Sequence, residues 1–501
     1  MINDSELREY VYKTYWLNIE QGLLFIDKGN KEKTDITNFF RYFLQCKKCE
    51  FISEEMTYHR FTEIYNTLGT KEEIDAFYID ALNYLDAYRF LTREKTIPSI
   101  LKTKFDTKKR FQELEYLNFK LRYLGSDIRL SLFMDIFVLL LKDEIEVEEV
   151  IKIFGIFESY IMRLIASGVS ISGLNQNIPS YFKRMKDIVK KNNKSYSDAF
   201  AHILLSISGR NIFRNNEVIT NSLQNNSIGT YVLRYVYYIL TTIEETQKDI
   251  GNLLRQMTSK EIYLTLEHIM PQTKSDDWRK MIGQDYDRVY DKYLNNIGNL
   301  TLTAYNSRYS NNSFKFKKEC ENGFNYSQLN INKSIKDSDV WTAVEIVSRQ
   351  KELIKAFIKC FPVPETTIKL SKNNTFDING IDENKLTKTK TSKIIIEEEN
   401  ETIELYCRDW KEVLKVVANY LYEKDPELFV TLCDDKDLQG TKNRLLGRDK
   451  KIATYTANDI VPNANIYFNN NLSANELFKF VKLLLQKYKI DETVSIEFEN
   501  N

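Results

Sequence analysis

Across residues 1–255 the apolar positions recur at spacings of three and four. Val147, Val150, Ile151, Phe154, Phe157, Ile161 and Leu164 fall on one face of a helix. Interruptions come at Gly125-Ser126-Asp127, at 167–173 around Gly168 and Gly173, and in the Asn-rich stretch 215–227. The pattern predicts a multi-helix domain over 1–255. From about Glu261 the period changes to two, with Ile262, Leu264 and Leu266 alternating with Tyr263, Thr265 and Glu267. This strand reads to His268-Ile269-Met270, where Pro271 ends the ladder. A short helical excursion over 276–293, anchored by Trp278, leads to a second alternating strand, Gly298-Asn299-Leu300-Thr301-Leu302-Thr303. The residues at 306–313 offer helix caps, and 314–320 reads as a helix stopped near Gly323. The order is strand, excursion, strand, helix, within a domain expected over 256–360.

Beyond Phe361 the pattern turns polar, so 361–402 reads as a linker with at most a hairpin. A small α+β accessory domain is expected over 403–501. It holds an amphipathic helix (Trp410, Val413, Leu414, Val417, Leu421), strands near Ile466-Tyr467-Phe468 and Val494-Ser495-Ile496-Glu497-Phe498, and a helix opened by the capping box Ser473-Ala474-Asn475-Glu476. Its loop residues Lys442, Arg444, Arg448, Lys450 and Lys451 are basic and read equally as a solvated loop or a contact with DNA or a partner.

Composition limits the function classes. With 501 residues the chain is long enough for roughly three domains, and 43% hydrophobic residues with 16 Gly and 7 Pro exclude a disordered chain. The 71 basic and 71 acidic side chains cancel, so any DNA site must be local. The N-terminus lacks a signal-peptide core, and the most apolar stretch, 130–141, is broken by Asp135 and shorter than the roughly 20 residues that span a bilayer. No membrane segment and a cytoplasmic location are expected. Cys46-Lys47-Lys48-Cys49 is a lone CxxC inside a helical pattern and reads as structural, as do His59 and His202.

The segment around His268 resembles the ββα-metal nuclease motif, HNH, in the variant at the C-terminal end of the GmrSD family of bacterial restriction endonucleases. The matching residues are Glu267-His268-Ile269-Met270-Pro271-Gln272, Trp278, Gly298-Asn299-Leu300-Thr301-Leu302, Asn306-Ser307, Ser310-Asn311, and Phe314 with Lys317. Residues 37–42, Glu158-Ser159-Tyr160-Ile161-Met162-Arg163 and Gly173-Leu174-Asn175 look like the same family, so the resemblance covers roughly 1–360. The fold expected is therefore a mainly α multi-helix body with an HNH motif, followed by the α+β module. The ParB-like NTPase half of fused members, with its Asp-Gly-Gln-Gln-Arg type signature, has no counterpart here, and neither does a phosphate loop. A separate NTPase and sensor subunit is expected as partner.

Phosphodiester hydrolysis needs an activated water and stabilisation of the developing charge, which an imidazole and a hard divalent ion supply. His268 is the candidate general base. The resemblance implies Glu267 and Asn306 as oxygen ligands of Mg²⁺ or Mn²⁺, with Asn311 and Asn312 competing with Asn306, and Asn299 as the residue that holds the hairpin in register. Neighbours on a regular strand face opposite ways, so Glu267 and His268 share a site only if the strand bends at Met270-Pro271. Arg308, Lys315, Lys317 and Lys318 are the only charged residues of 298–318, and with Asn311 they are the expected phosphate contacts. The function implied is a metal-dependent DNA endonuclease of a type IV restriction system, directed at DNA that includes modified phage DNA. The alternatives are a catalytically degenerate scaffold that binds DNA or a partner, and an RNase-type abortive toxin.

Overall fold

The computed structural model describes residues 5–26, 31–93, 108–125, 127–207, 211–225, 233–248, 252–369, 374–381, 386, 389–398, 402–438, 445–448, 457–461, 464–469 and 471–498. They are mainly helical and fall into two compact units. The first comprises 1–171, 178–205 and 213–368; the second comprises 172–177, 206–212 and 369–501.

The first unit includes the helices α1 (Ile36–Lys48), α2 (Lys71–Thr92), α3 (Lys108–Tyr123), α4 (Leu130–Leu141), α5 (Val147–Ala166), α6 (Ile178–Asn192) and α7 (Tyr196–Leu205). The start of α2 is fixed by a capping box, in which Thr70 Oγ1 accepts from Glu73 N at 3.2 Å and Glu73 Oε2 accepts from Thr70 N at 3.1 Å. Residues 130–140 of α4 are all buried, which explains an apolar run with no polar face. On α5, Val150, Phe154, Phe157, Ile161 and Leu164 are buried as their spacing predicts. Cys46 donates to Ser131 O at 3.0 Å and Cys49 to Cys46 O at 3.5 Å, so both thiols sit in ordinary packing roles.

Helix α8 (Leu233–Lys248) leads to the two-stranded sheet of β1 (Thr265–His268) and β2 (Leu300–Thr303), paired antiparallel with Leu266 opposite Leu302 and His268 opposite Leu300. Between the strands lie α9 (Asp276–Ile282) and α10 (Tyr286–Tyr293), separated where Gly283 takes a φ of 81°. After β2 come α11 (Asn306–Tyr309), α12 (Phe314–Glu319) and α13 (Ala343–Cys360). Trp278, Phe314 and Trp341 form the apolar centre of this region. All four residues of β2 are buried, against the half-exposed alternation expected. Arg349 on α13 donates to the carbonyls of Ile297, Gly298 and Leu300, while Asn332 bonds to Thr301 and Leu302, so protein flanks β2 on both sides.

In the second unit a four-stranded sheet has the order β3-β9-β4-β5, with β3 (Asn374–Asp377), β4 (Thr391–Glu397), β5 (Thr402–Tyr406) and β9 (Val494–Phe498). Helices α14 (Trp410–Lys424) and α15 (Pro426–Leu432) follow, with a three-stranded sheet of β6 (Leu446–Gly447), β7 (Ala457–Val461) and β8 (Ile466–Asn469), and α16 (Ala474–Lys487). The capping box at Ser473 and Glu476 forms. Two strands thus lie inside 361–402, the segment expected to be a linker with at most a hairpin; β4 buries Ile394, Ile395 and Ile396 between β9 and β5. Of the basic loop, Lys442, Arg444, Lys450 and Lys451 lie outside the described residues, as do Ser126 and residues 226–227, while Arg448 sits 3.7 Å from Asp434.

Candidate active site

The end of β1 is held by side chains where backbone pairing runs out. Ile269 N donates to Asn299 O at 2.9 Å, the last backbone bond of the ladder. The Asn299 side chain then takes over as a surrogate peptide, its Oδ1 accepting from Met270 N at 2.8 Å and its Nδ2 donating to Met270 O at 3.0 Å and Leu294 O at 2.9 Å. Trp341 Nε1 donates to the same Oδ1 at 3.2 Å. A fully buried amide meeting every one of these groups fixes the chain as it enters Pro271.

The outer edge of β1 is covered in the same way. Leu266 N donates to Tyr237 Oη on α8 at 2.7 Å, and Leu266 O accepts from Asn306 Nδ2 on α11 at 2.6 Å. Lys317 on α12 donates to His268 O at 2.9 Å and Ile269 O at 3.1 Å. Three elements therefore close an edge that would otherwise present bare backbone groups.

Glu267 and His268 face different partners, as alternation along a strand requires. Glu267 is buried, and Lys317 Nζ lies 2.5 Å from its Oε1. Burial pushes this carboxyl up to about 7 against the opposing pull of the ammonium, and burial holds Lys317 below its ordinary value against the pull of Glu267. The half-buried His268 ring has Nε2 3.0 Å from Asn295 Oδ1. Since a carboxamide oxygen only accepts, Nε2 carries the proton and Nδ1 is left as the basic atom. Burial lowers the His268 value, with Lys317 adding to that shift and the Asn295 bond opposing it, so the ring is neutral at physiological pH. No direct hydrogen bond joins the Glu267, His268 and Asn306 side chains.

The expected phosphate contacts separate. Lys317 is fully buried against Glu267, so its charge is directed inward and not to solvent. Arg308 pairs with Glu321 at 3.0 Å, and Lys318 donates to Ser338 O. Lys315 and Asn311 are exposed and make no such bond with any described residue. Asn312 Nδ2 donates to Arg308 O at 3.2 Å, and its carbonyl receives Trp278 Nε1 at 3.0 Å. Asn295 and Tyr237 were not anticipated. The Asn295-Asn296 doublet just before Gly298 was a local signal for the first, whereas nothing in the pattern of α8 pointed to the second.

Among the described residues no group of three His, Cys, Asp or Glu is placed to hold a metal. Glu267 Oε2 and Asn306 Oδ1, however, accept no hydrogen bond from any described residue. Two free oxygen donors with water completing the shell suit Mg²⁺ or Mn²⁺.

A hairpin with a trailing helix, a neutral half-buried imidazole at a strand end and a tethering asparagine define a site capable of proton abstraction. Residues 213–356 match the family described as GmrSD restriction endonucleases, C-terminal domain. The match covers 144 of the 501 residues, and over that segment the chain is similar to the C-terminal domain of these restriction endonucleases. The match begins at Phe213, inside the part expected to be the helical domain, and so includes α8, which supplies Tyr237 to β1. No curated protein matches the chain. Among the described residues, no helix is long and apolar enough to cross a membrane.

Proposed function

We infer that the chain is a metal-dependent HNH endonuclease that hydrolyses DNA, acting as the nuclease subunit of a type IV bacterial restriction system in the cytoplasm. A separate subunit would supply the NTPase and sensing of DNA, including modified phage DNA. The observation that carries this reading is His268, neutral and oriented by Asn295 at the end of a strand that Asn299 clamps. In this reading Nδ1 of His268 takes the proton of the attacking water. Asn299 acts at one remove by fixing Met270, and Tyr237 and Lys317 by holding the strand edge. Glu267 and Asn306 would hold Mg²⁺ or Mn²⁺, which stabilises charge on the phosphate and leaving oxygen when bound. The test is nicking of supercoiled plasmid with Mg²⁺ or Mn²⁺, with and without the partner, by wild type and His268→Ala. Cutting by wild type alone supports the reading; equal activity or equal inertness of the two proteins removes it.

One observation favours the second reading, a scaffold whose motif is degenerate. The Lys317 ammonium already neutralises Glu267, the charge a cation would be drawn to. Under that reading no divalent ion supports cutting, and the protein only binds. An RNase would instead cut RNA in preference to DNA in the same assay.

A further inference from the structure

Helix α6 is amphipathic in an unusual sense. Ile178, Pro179, Tyr181 and Met185 are buried, while the solvent side carries Lys183, Lys186 and Lys190 at spacings of three and four, flanked by Lys191 and, just past the helix, Lys194. Residues so spaced share one helical face. All five lysines are exposed. Lys183, Lys190, Lys191 and Lys194 make no hydrogen bond or ion pair with any described residue; Lys186 lies over the Phe182 ring at 5.6 Å, and Lys186 and Lys194 act on Asp135 and Asp198 only through space. Asp187 is the one carboxylate on this face, and it pairs with none of them.

Elsewhere in the same unit lysines find acids, as with Lys120 and Glu158 at 2.5 Å or Lys274 and Asp287 at 2.8 Å. In a chain whose charges cancel overall, an unneutralised ridge stands out. At about 1.5 Å per residue, Lys183 to Lys191 rises about 12 Å. That matches three to four phosphate steps at about 3.4 Å per strand. Flexible ammonium groups without base-reading partners suit phosphates and not base edges.

We propose that the lysine ridge of α6 is a sequence-independent binding surface for the phosphate backbone of duplex DNA. It supplies the contacts that Arg308, Lys317 and Lys318, engaged within the protein, do not. The inference takes only the identity of the polyanion from the DNA substrate proposed above, and binding is read without cleavage.

The experiment is fluorescence anisotropy of a labelled 30-base-pair duplex with the full-length chain carrying His268→Ala, titrated between 50 and 200 mM KCl without divalent ions. Each phosphate contact contributes about 0.9 to the slope of log K against log salt. Lys183→Gln, Lys186→Gln and Lys190→Gln together should lower that slope by about 2.7 and raise Kd at 100 mM by about tenfold or more. Asp187→Lys should act the other way, tightening binding and steepening the slope by about 0.9, which guards against a neutralised variant that simply folds poorly. The proposal is overturned if the triple variant binds with the wild-type slope, if Asp187→Lys has no effect, or if RNA of equal length binds more tightly through the same lysines. With His268 restored and Mg²⁺ or Mn²⁺ added, failure of the otherwise wild-type chain to cut DNA with the partner present would sink the enzymatic reading while leaving these binding outcomes intact.

Discussion

At the residue scale, the pair Glu267 and Lys317 decides how the site is built. Both side chains are buried, and the ammonium serves the carboxylate and two carbonyls at once. Removing one partner leaves a buried charge uncompensated, at a cost of about 3–5 kcal/mol. Lys317→Met should therefore lower stability by about that much in urea denaturation, and adding Glu267→Gln should recover part of the loss. If the single variant costs under about 1 kcal/mol, the pair is not the bond described. Sequence alone identified Lys317 as positive and near the site but not which way it points, because burial depends on the packing of α12 against β1. Asp135 makes a second test. It sits inside the apolar helix α4, where Tyr84 donates to it at 2.5 Å, and burial raises its carboxyl to about 7. A folded value above the unfolded 3.8 means that the folded state holds its proton more tightly, so stability present at low pH is lost as pH rises through about 7. Asp135→Asn should flatten that fall, raising stability at pH 8 relative to wild type more than at pH 5. An unchanged pH profile would show that Asp135 does not titrate in this range.

At the scale of elements, the hairpin depends on supports far from it in sequence. Tyr237 lies 29 residues before Leu266, whose amide it accepts. Tyr237→Phe leaves that N–H without its partner, a loss of about 1–3 kcal/mol. The expected result is a lower Tm with reduced cleavage, and an unchanged Tm would remove α8 from the support of β1. Gly298 is a sharper case, because a Cβ there would come within 2.2 Å of Ile346 O on α13. Gly298→Ala should force β2 and α13 apart and lower Tm markedly, and a Tm equal to wild type would contradict this packing. The Gly298-Asn299 step was legible as a turn before a strand, and the capping box at Ser473 was legible too. The strands of 374–377 and 391–397 were not, since both pair with β9 about a hundred residues on and no local pattern carries that register.

For the whole molecule, zero net charge describes an average. Lysines are unneutralised on α6 and paired in many other places, and the cations near the hairpin are mostly turned to internal bonds. The family match over 213–356 accounts for the hairpin and its supports, whereas the helices before it and the second unit lie outside that match. The motif residues were legible because chemistry confines them to a short, ordered run. The bond of Asn295 to His268 and the inward turn of Lys317 onto Glu267 became visible only through folding. The central claim is that His268 is the base of a DNA-cutting site. Its most direct test is the conversion of supercoiled plasmid to nicked or linear form in Mg²⁺ or Mn²⁺ with the partner subunit present. Wild type should cut, and His268→Ala should be slower by about 10²–10⁴ while binding DNA equally well. Equal rates for the two proteins, or cutting by neither, would contradict the claim.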